Sequence, residues 1–492
     1  MEHPLLWGIL NAATPENLFY AFLGCLLGTL VGVLPGLGTV SAVAILFPFT
    51  TYLPPTGMVI ALAAIYYGAM YGGSTTAILV NVPGEVPSVV TCLDGYQMTR
   101  RGRPGPALAI AAIVSFLAGI VGSVLIAFLG PSIARYALSF GPAEYLGLGL
   151  FSLTAIAGLS GRSLLKGALV AVVGMLLVSV GLDPGTSLNR LTFGNLNLMQ
   201  GFEIVPVMIG LFGVAEMLRL FQEMEGELVG AKIGKLMPDL HELRDGLAAG
   251  ARATALAFPL GLLPGMLPSV TSFLSYSFER QRSKHPEKFG TGVIEGVAAP
   301  EAANNAAAMA NLVPLLALGV PTGPTMALVL GALTIYGLVP GPLLFTQHAQ
   351  FTWTVIGSFF VANIILVILN LPLVGLWARI ATIPMPILGP AVLVICLVGS
   401  FSIRSSMFDV GVSVVFGLVG WAASRAGWPL PPMVLAYVLG PMIERSARQV
   451  IQISPALLVQ RPLFWVFIFG GLLIAWFSRR LWKQPEVEAE AA

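Results

Sequence analysis

Two stretches, far apart in the chain, set proline beside glycine in otherwise apolar sequence: Gly32-Val33-Leu34-Pro35-Gly36-Leu37-Gly38-Thr39 and Gly261-Leu262-Leu263-Pro264-Gly265-Met266. Further along, each is followed by a segment of small and polar residues that ends in a Val-Pro turn, Gly72 to Gly84 and Pro300 to Pro324. Proline removes a helical hydrogen bond and clashes one turn back, so such pairs break a helix. A broken helix exposes N–H groups at one end, which carry partial positive charge and bind carboxylates. It exposes carbonyls at the other end, which join Ser, Thr and Asn oxygens to ligate a hard cation such as Na⁺. On this chemistry Gly36, Gly38, Thr39, Ser74, Thr75, Thr76, Asn304, Asn305, Thr322 and Gly323 are the candidates for holding an anion. Asn81, Pro83, Gly84, Asn311, Val320 and Thr325 are the candidates for a cation. Glu301 and Glu85 are candidates for a proton-accepting or charge-neutralising role. Tyr71, next to Gly72, joins them more weakly, and Asp94 reads as a solvated loop residue. Each polar position also has a plainer reading, because Ser, Thr and Gly mediate close packing between membrane helices.

Those breaks need elements to hold them. Of 492 residues, 56% are hydrophobic and 10% charged, against roughly 45–50% and 25% in soluble domains. Apolar runs long enough to span a bilayer recur, among them Ala107 to Gly130, Leu164 to Leu182, Phe351 to Leu376 and Leu463 to Leu481. They are continuous rather than alternating, which excludes a β-barrel. The expected fold is all-α: a polytopic membrane protein of roughly a dozen transmembrane helices with discontinuous, helix-break or re-entrant segments. Non-helical backbone at membrane depth survives only where it is buried in protein or lines a watery cavity, so the breaks mark the site. The first residues, MEHPLLWGIL, lack the basic start and small-residue cleavage pattern of a removable signal peptide.

The recurrence of break, apolar run and Val-Pro turn reads as an internal repeat. The charged loops set its orientation, because short cytoplasmic loops concentrate Lys and Arg. In the first half Thr51 to Gly57 is uncharged and the later loop holds Arg100, Arg101 and Arg103; in the second half Glu279 to Lys288 is charged and Leu338 to Phe345 is not. Corresponding loops therefore fall on opposite sides, the pattern of inverted-topology repeats. The expected organisation is a first repeat over 1–221, a cytoplasmic linker over 222–246, a second repeat over 247–450, and a further helix and tail over 451–492. Arg479, Arg480 and Lys483 place the C-terminus in the cytoplasm, whereas Arg445 and Arg448 fit the scheme poorly.

Other chemistries find little footing. The three cysteines are scattered without a CxxC pair, the four histidines are dispersed, and net charge is +2, too small to argue for nucleic acid. Zincin, nucleophile-elbow and Walker A motifs are absent, so an enzyme is not expected, and a gradient rather than a nucleotide is the expected energy source.

The sequence resembles the large membrane subunit of the tripartite tricarboxylate transporter family. The resemblance rests on Gly32 to Thr50, Tyr67 to Glu85, Leu93 to Ala109 and Pro300 to Leu333, and it covers nearly the whole chain. It implies a secondary carrier for citrate and other di- or tricarboxylates in a bacterial inner membrane, coupled to Na⁺ or H⁺ and working without a cofactor. It also implies two partners, a small membrane subunit of about four helices and a periplasmic solute-binding protein. The paired breaks favour an elevator-like motion. The alternatives are a stand-alone cation-coupled carboxylate symporter, a passive channel, and an intramembrane enzyme acting on a lipid-linked substrate.

Overall fold

The computed structural model describes residues 3–34, 36–160, 163–183, 185–223, 234–380, 383 and 385–481. Pro35, residues 224–233 of the connector, Lys483 and the side chains of Arg479 and Arg480 lie outside the described residues. The chain is an all-α, multi-pass membrane protein. Eighteen helices carry the architecture: α1 (Pro4–Ala12), α2 (Pro15–Gly32), α3 (Gly38–Thr50), α4 (Pro55–Val80), α5 (Val89–Arg100), α6 (Pro104–Ala137), α7 (Pro142–Leu159), α8 (Leu164–Val178), α9 (Ile204–Gln222), α10 (Leu240–Gly261), α11 (Pro268–Arg282), α12 (Ile294–Leu318), α13 (Pro324–Ile335), α14 (Ala349–Asn370), α15 (Met385–Arg404), α16 (Met407–Arg425), α17 (Pro431–Ile453) and α18 (Pro462–Leu481). A two-stranded hairpin, β1 (Gly181–Leu182) and β2 (Asn189–Arg190), sits between α8 and α9. Seven of the described helices are long and apolar enough to cross a membrane, and four more are apolar but only 10–17 residues long.

The short helices follow from the breaks. α2 stops and α3 begins across 33–37, while α10 stops and α11 begins across 262–267. The longer α4 and α12 end on left-handed residues, Asn81 (φ 58°) and Gly319 (φ 71°), each followed by Val-Pro. That conformation closes a helix and the proline forbids its continuation.

Small residues let the backbones touch, as lipid-embedded helix pairs require. On α2, Gly24, Gly28 and Gly32 lie against the backbone of Ala61, Ile65 and Ala69 of α4, where an added Cβ would sit 2.2–2.6 Å from the facing carbonyls. Both numbers rise together, so α2 and α4 run parallel. In the second half Gly250 faces Ala302 and Gly261 faces Ala307, which makes α10 and α12 parallel in the same way. Almost every residue of α4 and α12 is buried, so these two helices form the centre.

Charges collect at the two ends of the bundle. At one end Arg103 pairs with Glu242 at 2.6 Å, beside Lys235 and the loop before α12. There Asp94 departs from the solvated position expected of it: it lies on α5, is 0% exposed, and accepts bonds from the N–H groups of Gly290, Gly292 and Val293 at 2.6–3.0 Å and from the Tyr276 hydroxyl at 2.9 Å. The N–H groups ahead of α12 need an acceptor, and a carboxylate from the other half supplies it. At the opposite end of α9, Arg448 reaches Asp183 (2.9 Å) and Glu444 (2.6 Å), Arg190 reaches Glu444, and Arg404 holds Asp409. Arg448, awkward in the charge pattern, is thus fixed by the hairpin.

Candidate functional site

The two breaks of each half lie against each other. Gly36 N–H donates to the Pro83 carbonyl (3.3 Å) and Gly38 N–H to the Gly84 carbonyl (2.8 Å); in the second half Gly265 N–H donates to the Thr322 carbonyl (2.9 Å). Gly36 (φ 80°) and Gly265 (φ 84°) adopt a left-handed backbone that other residues reach only with strain. The breaks at Gly36 and Gly265 are therefore each pinned to a Val-Pro turn by backbone hydrogen bonds.

All four breaks border one cavity of about 650 Å³. Its lining includes Gly36, Gly38 and Thr39 from the first, Pro83, Gly84 and Glu85 from the second, Leu267 to Val270 from the third, and Gly323, Pro324 and Thr325 from the fourth. Asn311 faces it from α12, and its Oδ1 has no hydrogen-bond partner. The starts of α3, α11 and α13 border this cavity, so three sets of N-terminal N–H groups lie at its edge.

Two lining residues had no role assigned from sequence. A π-helical turn at Ile209–Val214 interrupts α9, and the Phe212 carbonyl accepts the Ser41 hydroxyl at 2.8 Å. One turn on, Glu216 and Arg219 reach the cavity and pair with each other, with Arg219 Nε 3.3 Å from Glu216 Oε2. The guanidinium lies beside Gly36. An opposite-charge pair at i,i+3 in an apolar helix was the available signal, because intramembrane charges are rarely idle. Its nearness to the charged connector hid it.

The remaining candidates lie elsewhere. Ser74, Thr75 and Thr76 of α4 are buried, as are Asn304, Asn305 and Glu301 of α12. Asn304 Nδ2 donates to Glu85 Oε1 (2.6 Å), leaving Asn304 Oδ1 and Glu85 Oε2 without partners. Glu301 receives the Ser74 hydroxyl on Oε2 and the Thr91 hydroxyl on Oε1, both at 2.6 Å, and Asn305 Nδ2 donates to its backbone carbonyl. Glu85 is also the cap of a short turn, its N–H donating to Ser88 Oγ at 3.3 Å. Thr322 is fully buried with an unpartnered hydroxyl, Val320 packs among Leu148, Phe151 and Leu435, and Asn81 is exposed outside the cavity. Tyr71 is buried with its hydroxyl unpartnered. Thus the first-half and second-half candidates do meet, in two places: the large cavity and the packed carboxylate layer behind it.

Among known proteins, an uncharacterised 52.8 kDa protein from the TAR-I ttuC' 3' region of Agrobacterium vitis is 46% identical over 448 residues, covering 91% of this chain and 89% of that protein. An uncharacterised protein from the TAR-II ttuC' 3' region of the same organism is 46% identical over 195 residues, 40% of this chain and 81% of that protein. No solved structure matches. The sequence model of the tripartite tricarboxylate transporter TctA family matches residues 18–435. The chain belongs to that family, whose members are the large subunits of tripartite tricarboxylate transporters.

Proposed function

We propose that this chain is the transmembrane carrier of a binding-protein-dependent importer of small di- or tricarboxylate anions in a bacterial inner membrane, driven by a Na⁺ or H⁺ gradient. A periplasmic binding protein delivers the anion and a small membrane subunit of about four helices completes the carrier. The observation that carries the reading is the large cavity, where helix starts from both halves converge with Arg219. Backbone N–H groups at helix starts and a guanidinium are the donors a carboxylate needs. Glu216 pairs with Arg219, and a carboxylate in the cavity would compete for the same guanidinium.

The matching pairs of breaks, with the charge antisymmetry of the loops, support two inverted repeats and roughly twelve crossings with the C-terminus in the cytoplasm. An elevator-like cycle follows, in which α4 and α12 carry the breaks as one body past the peripheral helices. Crosslinks from the Ser74 and Asn304 regions to those outer helices would trap distinct states; access to both regions from one side alone throughout the cycle would sink that motion.

Uptake of labelled citrate into proteoliposomes, with and without the two partners, tests the main reading. Arg219→Gln should raise the concentration needed for half-maximal uptake by an order of magnitude or more, as loss of a charge-assisted bond does. Unchanged citrate dependence would remove Arg219 from the site. Uptake that needs neither partner would favour the stand-alone symporter.

A further inference from the structure

Glu301, two turns into α12, is 2% exposed, and among the described residues no cationic side chain pairs with it. A buried carboxylate without a countercharge costs several kcal/mol, so Glu301 is either neutralised by a proton or accompanied by a cation. Beside it lies a cavity of about 20 Å³, separate from the large one, close to the minimum that holds one water-sized particle.

Six side chains give that cavity an oxygen lining: Glu301, Ser74, Thr75, Tyr71, Ser115 and Asn370. Two of the hydroxyls spend their protons on backbone carbonyls, which leaves their lone pairs free. Thr75 donates to the Tyr71 carbonyl at 3.3 Å and Ser115 to the Glu301 carbonyl at 3.4 Å. Asn370 spends its Nδ2 on the Leu366 carbonyl (2.9 Å) and keeps Oδ1 unpartnered, and the Tyr71 hydroxyl is unpartnered as well. Both residues are 6% exposed. Ser74 reaches Glu301 Oε2 at 2.6 Å and the Met70 carbonyl at 3.1 Å with one proton for the two.

We propose that this small cavity is a sodium site, with Glu301, Ser74, Tyr71 and Asn370 as its side-chain oxygen ligands. A single carboxylate matches a single positive charge, whereas calcium sites gather more carboxylates and six to eight oxygens. A bare proton on Glu301 satisfies at most one of the two orphaned oxygens, while a cation serves both. Of the other charged groups near this layer, Asp94 is held by the loop before α12 and Glu279 of α11 by Arg252 at 2.7 Å, while Glu85 holds Asn304 and lines the large cavity instead. Thr91 of α5 supplies a hydroxyl, and Cys92 follows it.

The site lies one turn of α4 from the large cavity. Met70, whose carbonyl Ser74 contacts, lines that cavity, and α4 ends in the break that presents Glu85 to it. Sodium would hold α4 against α12 and so fix the shape of the anion cavity. This coupling role rests on the importer reading; the cation site itself does not.

The test uses sodium alone. The purified full chain is heated in chloride salts of sodium, potassium or choline at equal ionic strength, without any carboxylate. Sodium should raise the unfolding midpoint while potassium and choline do not. Glu301→Gln should erase the sodium-specific rise, and Tyr71→Phe, which keeps the shape, should weaken the apparent sodium affinity several-fold. Equal effects of the three salts overturn the site, as does a sodium rise that persists in Glu301→Gln, or one that acidification reproduces without sodium. A chain that shows the rise but, with both partners present, takes up no di- or tricarboxylate sinks the importer reading and leaves the site standing.

Discussion

The buried carboxylates of this protein fall into two regions that obey opposite rules. At the bundle ends Asp94, Glu279 and Asp409 are each 0–4% exposed and fully compensated, by three backbone N–H groups and a tyrosine, by Arg252, and by Arg404. In the central layer Glu85 and Glu301 are just as buried, yet among the described residues they meet only amides and hydroxyls. The first arrangement is closed: every charge has its partner within the chain. The second is open, and it lies where α4 and α12 bring the halves together. Self-sufficient charges hold the helices in register, whereas Glu85 and Glu301 are held by neutral hydrogen-bond donors alone.

If that division holds, the largest losses should come from the ends. Arg404→Met leaves Asp409, 0% exposed, without its partner, and breaking a buried pair in this way costs about 3–5 kcal/mol. Reversible unfolding in mixed detergent reads that loss; a smaller penalty than that of Glu301→Gln would break the comparison. Asp94→Asn keeps the shape but weakens the bonds to Gly290, Gly292 and Val293, an expected loss of about 1.5–3 kcal/mol. Hydrogen exchange at the start of α12 should rise in that variant and not elsewhere.

Much of this was legible in the sequence, and for definite reasons. Pro264-Gly265 and Val320-Pro321 announce broken helices because proline and glycine act locally, within one turn. The breaks in the structure fall at 262–267 and 319–323 accordingly. Asp94 looks like a solvated loop residue in the sequence because its partners, Gly290 to Val293, lie nearly two hundred positions away, and local sequence shows only the neighbouring arginines. Arg219 is hidden in the sequence for a related reason: it sits at the end of an apolar run beside the connector, and only the packing of α9 against the break at Gly36 shows which way it faces. The split of the polar candidates into a cavity set and a packed set, with Ser74 behind the wall and Thr39 on it, depends on helix rotation, which a chain of small residues does not encode strongly.

Smaller effects sharpen the contrast from the other side. Glu301→Gln, measured without sodium, should change stability by no more than about 1 kcal/mol, because relief from an uncompensated buried charge offsets the weakened hydroxyl bonds from Ser74 and Thr91. With sodium at a hundred times its dissociation constant the wild type should gain about 2.7 kcal/mol over that baseline and the variant nothing. A large penalty without sodium would place Glu301 with the compensated group.

The smallest effect belongs to the hairpin end, where Asp183 is held well below the ordinary carboxylate range, first by the Arg448 guanidinium and then by Gly185 N–H and the Thr186 hydroxyl. A carboxylate whose folded value is depressed contributes stability that is fully present above its unfolded value, about 3.9, and that fades as pH falls through the folded value. The gap between wild type and Arg448→Gln should therefore stay constant from neutral pH to about pH 5 and narrow only in stronger acid. Because Arg448 is partly open to solvent, added salt should narrow the gap as well. The Glu301 effect should respond to sodium and not to potassium, while the Asp183 effect should respond to both alike, so one pair of salt titrations separates a site that binds an ion from a pair that is merely screened by one.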